Sequence, residues 1–219
     1  MAVIPVGRGN DFAFGAGVPA GVQPSCDLLA SGLKKKIDIG RITGGLYPQG
    51  LFFGNGVGVG FDAVVGFVAA KSKLTGMLSY LVAALKTIFI YYKAPLVDII
   101  TDNKTFQISS LLISTMNGKR MGGGFMFAPD ALPNDGMFDL CIVRSVPQGA
   151  ILGLIMKVMK GTQAAHPAVS TIQSTKVVVK AVQGTLPVHA DGVTICEEGQ
   201  EVSIELLPKE LEIITRLAA

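Results

Sequence analysis

The chain has 219 residues, 49% apolar and only 16% charged, so it is long enough to bury a real core and too apolar to be disordered. Its 27 glycines follow no fixed period, which excludes a collagen-like repeat and points to many tight turns in a strand-rich fold. A net charge of +3 is too mild for a nucleic-acid binder, so no nucleic-acid partner is expected.

In chain order, residues 2–6 (AVIPV) read as a short buried strand, followed by the turn GRGND. Asn10 or Asp11 can cap a helix that Gly15 and Gly17 keep short, and Ser25 can cap a second helix running to Lys36. From Ile37 the pattern becomes strand-like: IDIGRIT alternates, and LFFGNGVGVGF is a glycine-rich strand. Asp62 opens an apolar helix, and a second follows over about 76–92, with Leu78, Leu81, Val82, Leu85, Phe89 and Tyr92 at helical spacing. Strands are predicted over 95–101, 107–116 and 138–143, a helix over 148–160, and a polar loop over 161–174. TKVVVKAV, TLPVHA, EVSIELL and LEIIT complete roughly nine strands. Strand runs with segregated helices predict an α+β fold.

Cys26, Cys141 and Cys196 are odd in number and lack metal-ligand spacing, which fits reduced thiols. The N-terminus has no signal-peptide pattern, and the most apolar stretch, Leu74–Tyr92, is interrupted by Gly76, Ser79, Lys86 and Thr87. Both observations favour the cytoplasm. Short basic groups at Lys34–Lys36, Lys71/Lys73, Lys119/Arg120 and Lys157/Lys160 are either solvated helix ends and turns or weak attractors of an anionic membrane surface.

Three segments carry candidate chemistry. Gly7, Gly9, Asn10 and Asp11 form a turn that is either structural or able to bring backbone N–H groups to a phosphate. Asn117–Gly124 ends in three glycines and leads to Asp130 and Asp135; it is either a hairpin turn with a bulge or a close approach of backbone and ligand. His189-Ala190-Asp191-Gly192 is either an ordinary Asp-Gly turn or a carboxylate placed as a general base or metal ligand.

Taken together, these segments resemble one family, the bacterial diacylglycerol kinases and their sphingosine kinase relatives. PVGRGNDFAFGAGVP is similar to the family's P-x-G-T-x-N-D-F-A-R-x-x-G-I-P, and NGVGVGFDAVV to its N-x-x-x-x-G-F-D-A-x-V. NGKRMGGGFMFAPDALPNDGMFDLCIV matches its N-G-x-x-x-G-G-G-x-x-x-A-P-x-A-x-x-D-D-G-x-x-D-V-x-x-V block. VHADG stands at its D-G-E and LLPKELEII at its closing P-x-x-L-x-V, with Val193 in place of the Glu, Arg8 in place of the motif Thr and Phe14 in place of the Arg.

The resemblance implies a lipid kinase using ATP and Mg²⁺ in phospholipid metabolism, with diacylglycerol the first choice of substrate. It implies a partial NAD kinase-like α/β nucleotide domain (1–36 and 208–219) joined to a β-sandwich-like lipid-binding body (37–207). Gly7, Gly9, Asn10 and Asp11 would bind nucleotide, Asp62 would face the substrate cleft, Asp191 would be the catalytic base, and Asp130 and Asp135 would hold a structural metal. The helices at 62–71, 76–92 and 148–160 would wall an acyl cleft, and the protein would contact the membrane peripherally. The family's G-G-D-G-T nucleotide loop does not occur in this sequence. The expectation is therefore a kinase fragment inactive or nearly so alone, with exposed apolar surface around AVIPV favouring dimers. The alternative is a non-catalytic lipid-binding or regulatory remnant; a NAD kinase relative is a third reading.

Overall fold

The structure is a computed structural model that describes residues 1–7, 9–71, 76–90 and 93–216. Arg8, Lys73 and Tyr92, all named above, lie outside the described residues.

Five helices and eleven strands are described. The helices are α1 (Asp11–Gly15), α2 (Val22–Ser31), α3 (Phe61–Ala70), α4 (Gly76–Ile90) and α5 (Gln148–Lys160). The strands are β1 (Lys34–Gly44), β2 (Tyr47–Phe53), β3 (Gly56–Gly60), β4 (Leu96–Thr101), β5 (Thr105–Met116), β6 (Phe138–Arg144), β7 (Val169–Ser174), β8 (Lys176–Gln183), β9 (Leu186–Ala190), β10 (Val193–Gly199) and β11 (Glu201–Ile214).

All strand pairings are antiparallel, in the order β10-β9-β3-β5-β4-β8-β11-β1-β2, with β6 and β7 continuing from β5. β5 joins the two halves: Thr105–Ser109 pairs with β4, whereas Leu112–Met116 lies between β3 and β6. Its sequence follows its surroundings. The first half alternates because one face meets solvent, and the second half is buried throughout.

The result is three layers. Ile113, Leu140 and Ile142 from the β3-β5-β6 half face Val97, Ile99, Val177, Val179, Val202 and Ile204 of the other half, forming the sandwich core. Cys141 and Val143 point the opposite way, into a second core closed by α3, α4 and α5. A third, smaller core sets α1 and α2 on the ends of β1 and β11 through Ala13, Leu28, Ile37 and Ile213. The expected α+β, sandwich-like architecture is present.

Several local expectations are corrected. AVIPV is not a buried strand: Ile4 and Val6 are exposed. Among the described residues the ladder contact near it is at the preceding Met1, which accepts from Ile214 N at 3.0 Å, and Pro5 has no N–H to extend the pairing. The second helix runs over 22–31 rather than 25–36. Ser25 sits inside its first turn, donating to Gly21 O at 2.7 Å, and Gly32 closes it with φ +64°. Lys34–Lys36 therefore open β1. The polar stretch at 161–174 contains β7, an edge strand with a largely exposed outer face. EVSIELL and LEIIT are one strand, carried through its irregular stretch by Lys209 at φ +54°. The boundaries expected at 36/37 and 207/208 fall inside β1 and β11, which pair along their length without a linker.

Candidate functional site

A groove of about 590 Å³ opens beside α3, and the Gly9–Asp11 loop, Asn55, Asp62, His189 and the Asp191–Gly192 turn all line it. Residues far apart in sequence meet here because β3 lies between β5 and β9. The start of α3, directly after β3, is thereby set beside the end of β9.

Asp191 follows β9 in the left-handed region at φ +46°, an uncommon state for a residue other than glycine. The turn is exposed, but its carboxylate is directed inward. Oδ2 accepts from Gly54 N at 2.7 Å, Oδ1 accepts from Gly56 N at 2.8 Å, and Asn55 N is 3.1 Å from Oδ1. Burial of the carboxylate raises its pKa above the ordinary carboxylate value, outweighing the opposing pull of these N–H groups and of His189. These bonds leave about one lone-pair site of the carboxylate for another proton donor.

The Gly7–Asp11 loop is braced from within and from the triple-glycine turn. Asn10 closes on Gly7, accepting from its N–H at 2.8 Å and donating to its carbonyl at 2.9 Å. Asp11 accepts from Arg120 Nε at 2.9 Å and from Gly123 N at 2.9 Å. Burial raises the Asp11 pKa despite those two partners, and the nearby charge of Asp191 adds to the rise. Gly9 is needed where it stands, since a Cβ would lie 2.8 Å from Asp11 Oδ2. The three glycines thus serve a close approach: Gly122 and Gly123 adopt φ +63° and +78°, delivering the Gly123 N–H to Asp11. Gly7, Gly9, Asn10 and Asp11 are brought together, yet the Asn10 and Asp11 side chains already have protein partners. Arg120 also stacks over Phe14, 3.9 Å from the ring centroid.

Asp62 forms a pair that the sequence reading missed. His189 Nε2 lies 3.3 Å from Asp62 Oδ2, and His189 Nδ1 is buried with no hydrogen-bond partner among the described residues. The pair sits directly over β3, where a Cβ on Gly58 would fall 2.1 Å from Asp62 Oδ2 and 2.5 Å from His189 Nε2. The β3–β9 register, which sets His189 opposite Gly58, creates the contact, and no local pattern in β9 marks it. Asn55 is a second omission: its Nδ2 donates to Arg120 O, while its buried Oδ1 has no partner among the described residues.

Asp62 also borders an apolar seam of about 40 Å³ between α3, α4, α5 and β5, walled by residues such as Val65, Ala84, Leu112 and Ile155. Of the expected acyl-cleft walls, all three helices reach it.

Asp130 and Asp135 are not brought to this groove. Both are exposed, and Asp135 Oδ1 accepts from Met137 N at 3.0 Å. Their charges reach Asp139, whose pKa is raised first by burial and then by them. Among the described residues no group of three or more His, Cys, Asp or Glu side chains is arranged to hold a metal ion.

Comparison with known proteins agrees with this architecture. Residues 55–215 match the YegS C-terminal NAD kinase β-sandwich-like domain. A diacylglycerol kinase of Mycobacterium tuberculosis is 27% identical over 218 residues, covering 98% of this chain and 68% of the relative. A probable lipid kinase YegS-like of an Enterobacter species is 28% identical over 212 residues, covering 96% and 67%. A Bacillus anthracis crystal structure described as a diacylglycerol kinase superposes with a TM-score of 0.66 at 19% identity, over 98% of this chain and 66% of that one.

Proposed function

The chain belongs to the family of the YegS C-terminal NAD kinase β-sandwich-like domain, and from that premise we propose that it is the lipid-presenting part of a lipid kinase acting on a hydroxyl-bearing lipid, diacylglycerol foremost. The single observation that carries this reading is the shared groove. One cavity is lined by the Gly9–Asp11 loop, the inward-facing Asp191 and the Asp62–His189 pair, and Asp62 also borders the apolar seam between the helices.

In this reading the headgroup lies against Asp62 and His189, and the acyl chains part α3, α4 and α5 along the seam. At about 40 Å³ the seam must widen to take them. Asp191 accepts the hydroxyl proton as the lipid oxygen forms its bond to phosphorus and the bond to the leaving oxygen breaks. Its raised pKa suits a base, and its three N–H contacts hold it in one orientation. ATP would supply the γ-phosphoryl group. Gly9 lets the loop pack against Asp11 and Gly123, which a side chain there would strike. Mg²⁺, when bound with ATP, would neutralise charge on the transferred phosphoryl group.

The test is transfer of labelled phosphate from ATP to diacylglycerol in mixed micelles, run with this chain alone and with a chain that also carries a G-G-D-G-T loop. Transfer is expected in the second case and little or none in the first. Asp191→Asn in the active form should lower the rate roughly 100-fold or more. A rate unchanged in Asp191→Asn would remove the base from the scheme. Lipid that neither binds nor reacts in either form would favour a regulatory role over a kinase.

A further inference from the structure

We propose that Arg120 is a positioning residue of the Gly9–Asp11 loop, supplying from the triple-glycine segment a guanidinium that the family motif carries at position 14. The motif N-D-F-A-R ends in Arg where this chain has Phe14, and N-G-x-x-x-G-G-G leaves open the position where this chain has Arg120. The two departures meet in space. The Arg120 guanidinium lies over the Phe14 ring, 3.9 Å from its centroid, and its Nε donates to Asp11 Oδ1 at 2.9 Å. Residue 14 stands three after Asp11 on α1, and residues at that spacing share a helix face. A guanidinium carried by residue 14 would therefore reach the same carboxylate. This chain keeps a cation beside Asp11 but delivers it from 109 positions away.

The contact acts on the conformation of the loop. Asn10 adopts φ +54°, in the left-handed region that residues other than glycine seldom enter. Arg120 grips the chain on both sides of it: Nη2 donates to Gly9 O at 3.3 Å, and Nε donates to Asp11. A planar fork that spans two acceptors fixes their separation, which the point charge of a lysine does not. The Arg120 and Asp11 side chains are only 21% and 15% exposed, so the pair is not a screened surface bridge. Gly123 N holds the same carboxylate at 2.9 Å, so the turn is fastened from the triple-glycine segment at two points. Gly9, Asn10 and Asp11 line the groove, and Arg120 acts on it through them. The consequence for the reaction rests on the kinase reading above, in which this loop meets the nucleotide. Loss of Arg120 should then appear in KM for ATP rather than in kcat.

The exchange of positions is tested first without ATP, by carbon-13 NMR titration of the Asp11 carboxyl in this chain. Burial raises the Asp11 pKa, the Gly123 N–H and Arg120 lower it, and the charge of Asp191 adds to the rise. Arg120→Gln should move the titration upward, and Phe14→Arg combined with Arg120→Gln should bring it back. In the form that also carries a G-G-D-G-T loop, Arg120→Gln should raise KM for ATP about tenfold with kcat within about twofold. Arg120→Lys should recover part of that loss, and the exchange variant most of it. Circular dichroism checks that each variant is folded. Should Arg120→Gln not fold, Phe14→Leu takes the ring from under the guanidinium and should raise KM about threefold; an unchanged KM would overturn the proposal. So would an Asp11 titration that Arg120→Gln leaves in place, an exchange variant no better than Arg120→Gln, or a loss in kcat at constant KM. Absence of transfer in every form, the unsubstituted one included, would count against the kinase reading and leave the Asp11 titration to decide the exchange.

Discussion

At Gly58 the absence of a side chain is a requirement of the site, because any Cβ there collides with the Asp62–His189 pair. Gly58→Ala should therefore separate the pair while the sandwich stays folded. The expected outcome is loss of diacylglycerol binding by calorimetry with only a small shift in thermal midpoint; unaltered binding would show that the pair is dispensable. The ionisation of Asp191 gives a second prediction. Its pKa is raised chiefly by burial, and a base works only when ionised. Transfer should rise with pH along a limb lying above the ordinary carboxylate value of 3.8. The sign for stability is opposite. A carboxylate whose folded pKa exceeds its unfolded pKa stabilises the fold below the unfolded value, and that contribution is lost as pH rises through the folded value. Above its folded pKa the ionised Asp191 is a cost borne by the fold for function. The Asp-Gly turn was visible in the sequence and its partners were not. Gly54, Asn55 and Gly56 lie more than 130 positions away, and only the β3–β9 pairing brings them to it.

Among the elements, one buried polar tie is Asp38 on β1. It is fully buried and its carboxylate accepts from Gly136 N and Lys209 N, both at 2.8 Å. It thereby fastens the 133–136 loop and the irregular part of β11 to the central pair of long strands. Asp38→Ala would leave two N–H groups unsatisfied, and chemical denaturation should show a loss of about 3 kcal/mol; a change under about 0.5 kcal/mol would mean that water replaces the carboxylate. The helices α3, α4 and α5, and the strands β4, β5, β6, β8 and β9, were legible because their apolar spacing matches one buried face. β7 and β10 were not, because edge strands with solvent on one side carry a weak apolar pattern. AVIPV failed in the other direction. An apolar β-branched run reads as a strand, but strand structure depends on a partner, and in the described fold only Met1 finds one.

For the whole molecule, the three-layer arrangement explains why the chemistry gathers at one end. The sheet half that carries β3, β5 and β9 is packed on both faces, by the other half of the sandwich and by the helices. Its loops and the start of α3 are consequently held firmly enough to fix a constellation. The family resemblance implied nucleotide binding at the Gly-Asn-Asp loop and a base at the Asp-Gly turn; the two segments line one groove. It gave no hint of the Asp62–His189 pair, because that contact is a product of register between β3 and β9. The account stands or falls on whether a lipid hydroxyl reaches this groove. The most direct measurement is photolabelling of the chain by a diacylglycerol analogue with a reactive group on one acyl chain, followed by peptide mapping. Labels are expected on α3, α5 and the buried half of β5, displaced by excess dioctanoylglycerol. Labels confined to α1, α2 or the β1–β2 hairpin, or a pattern that excess lipid does not change, would contradict it.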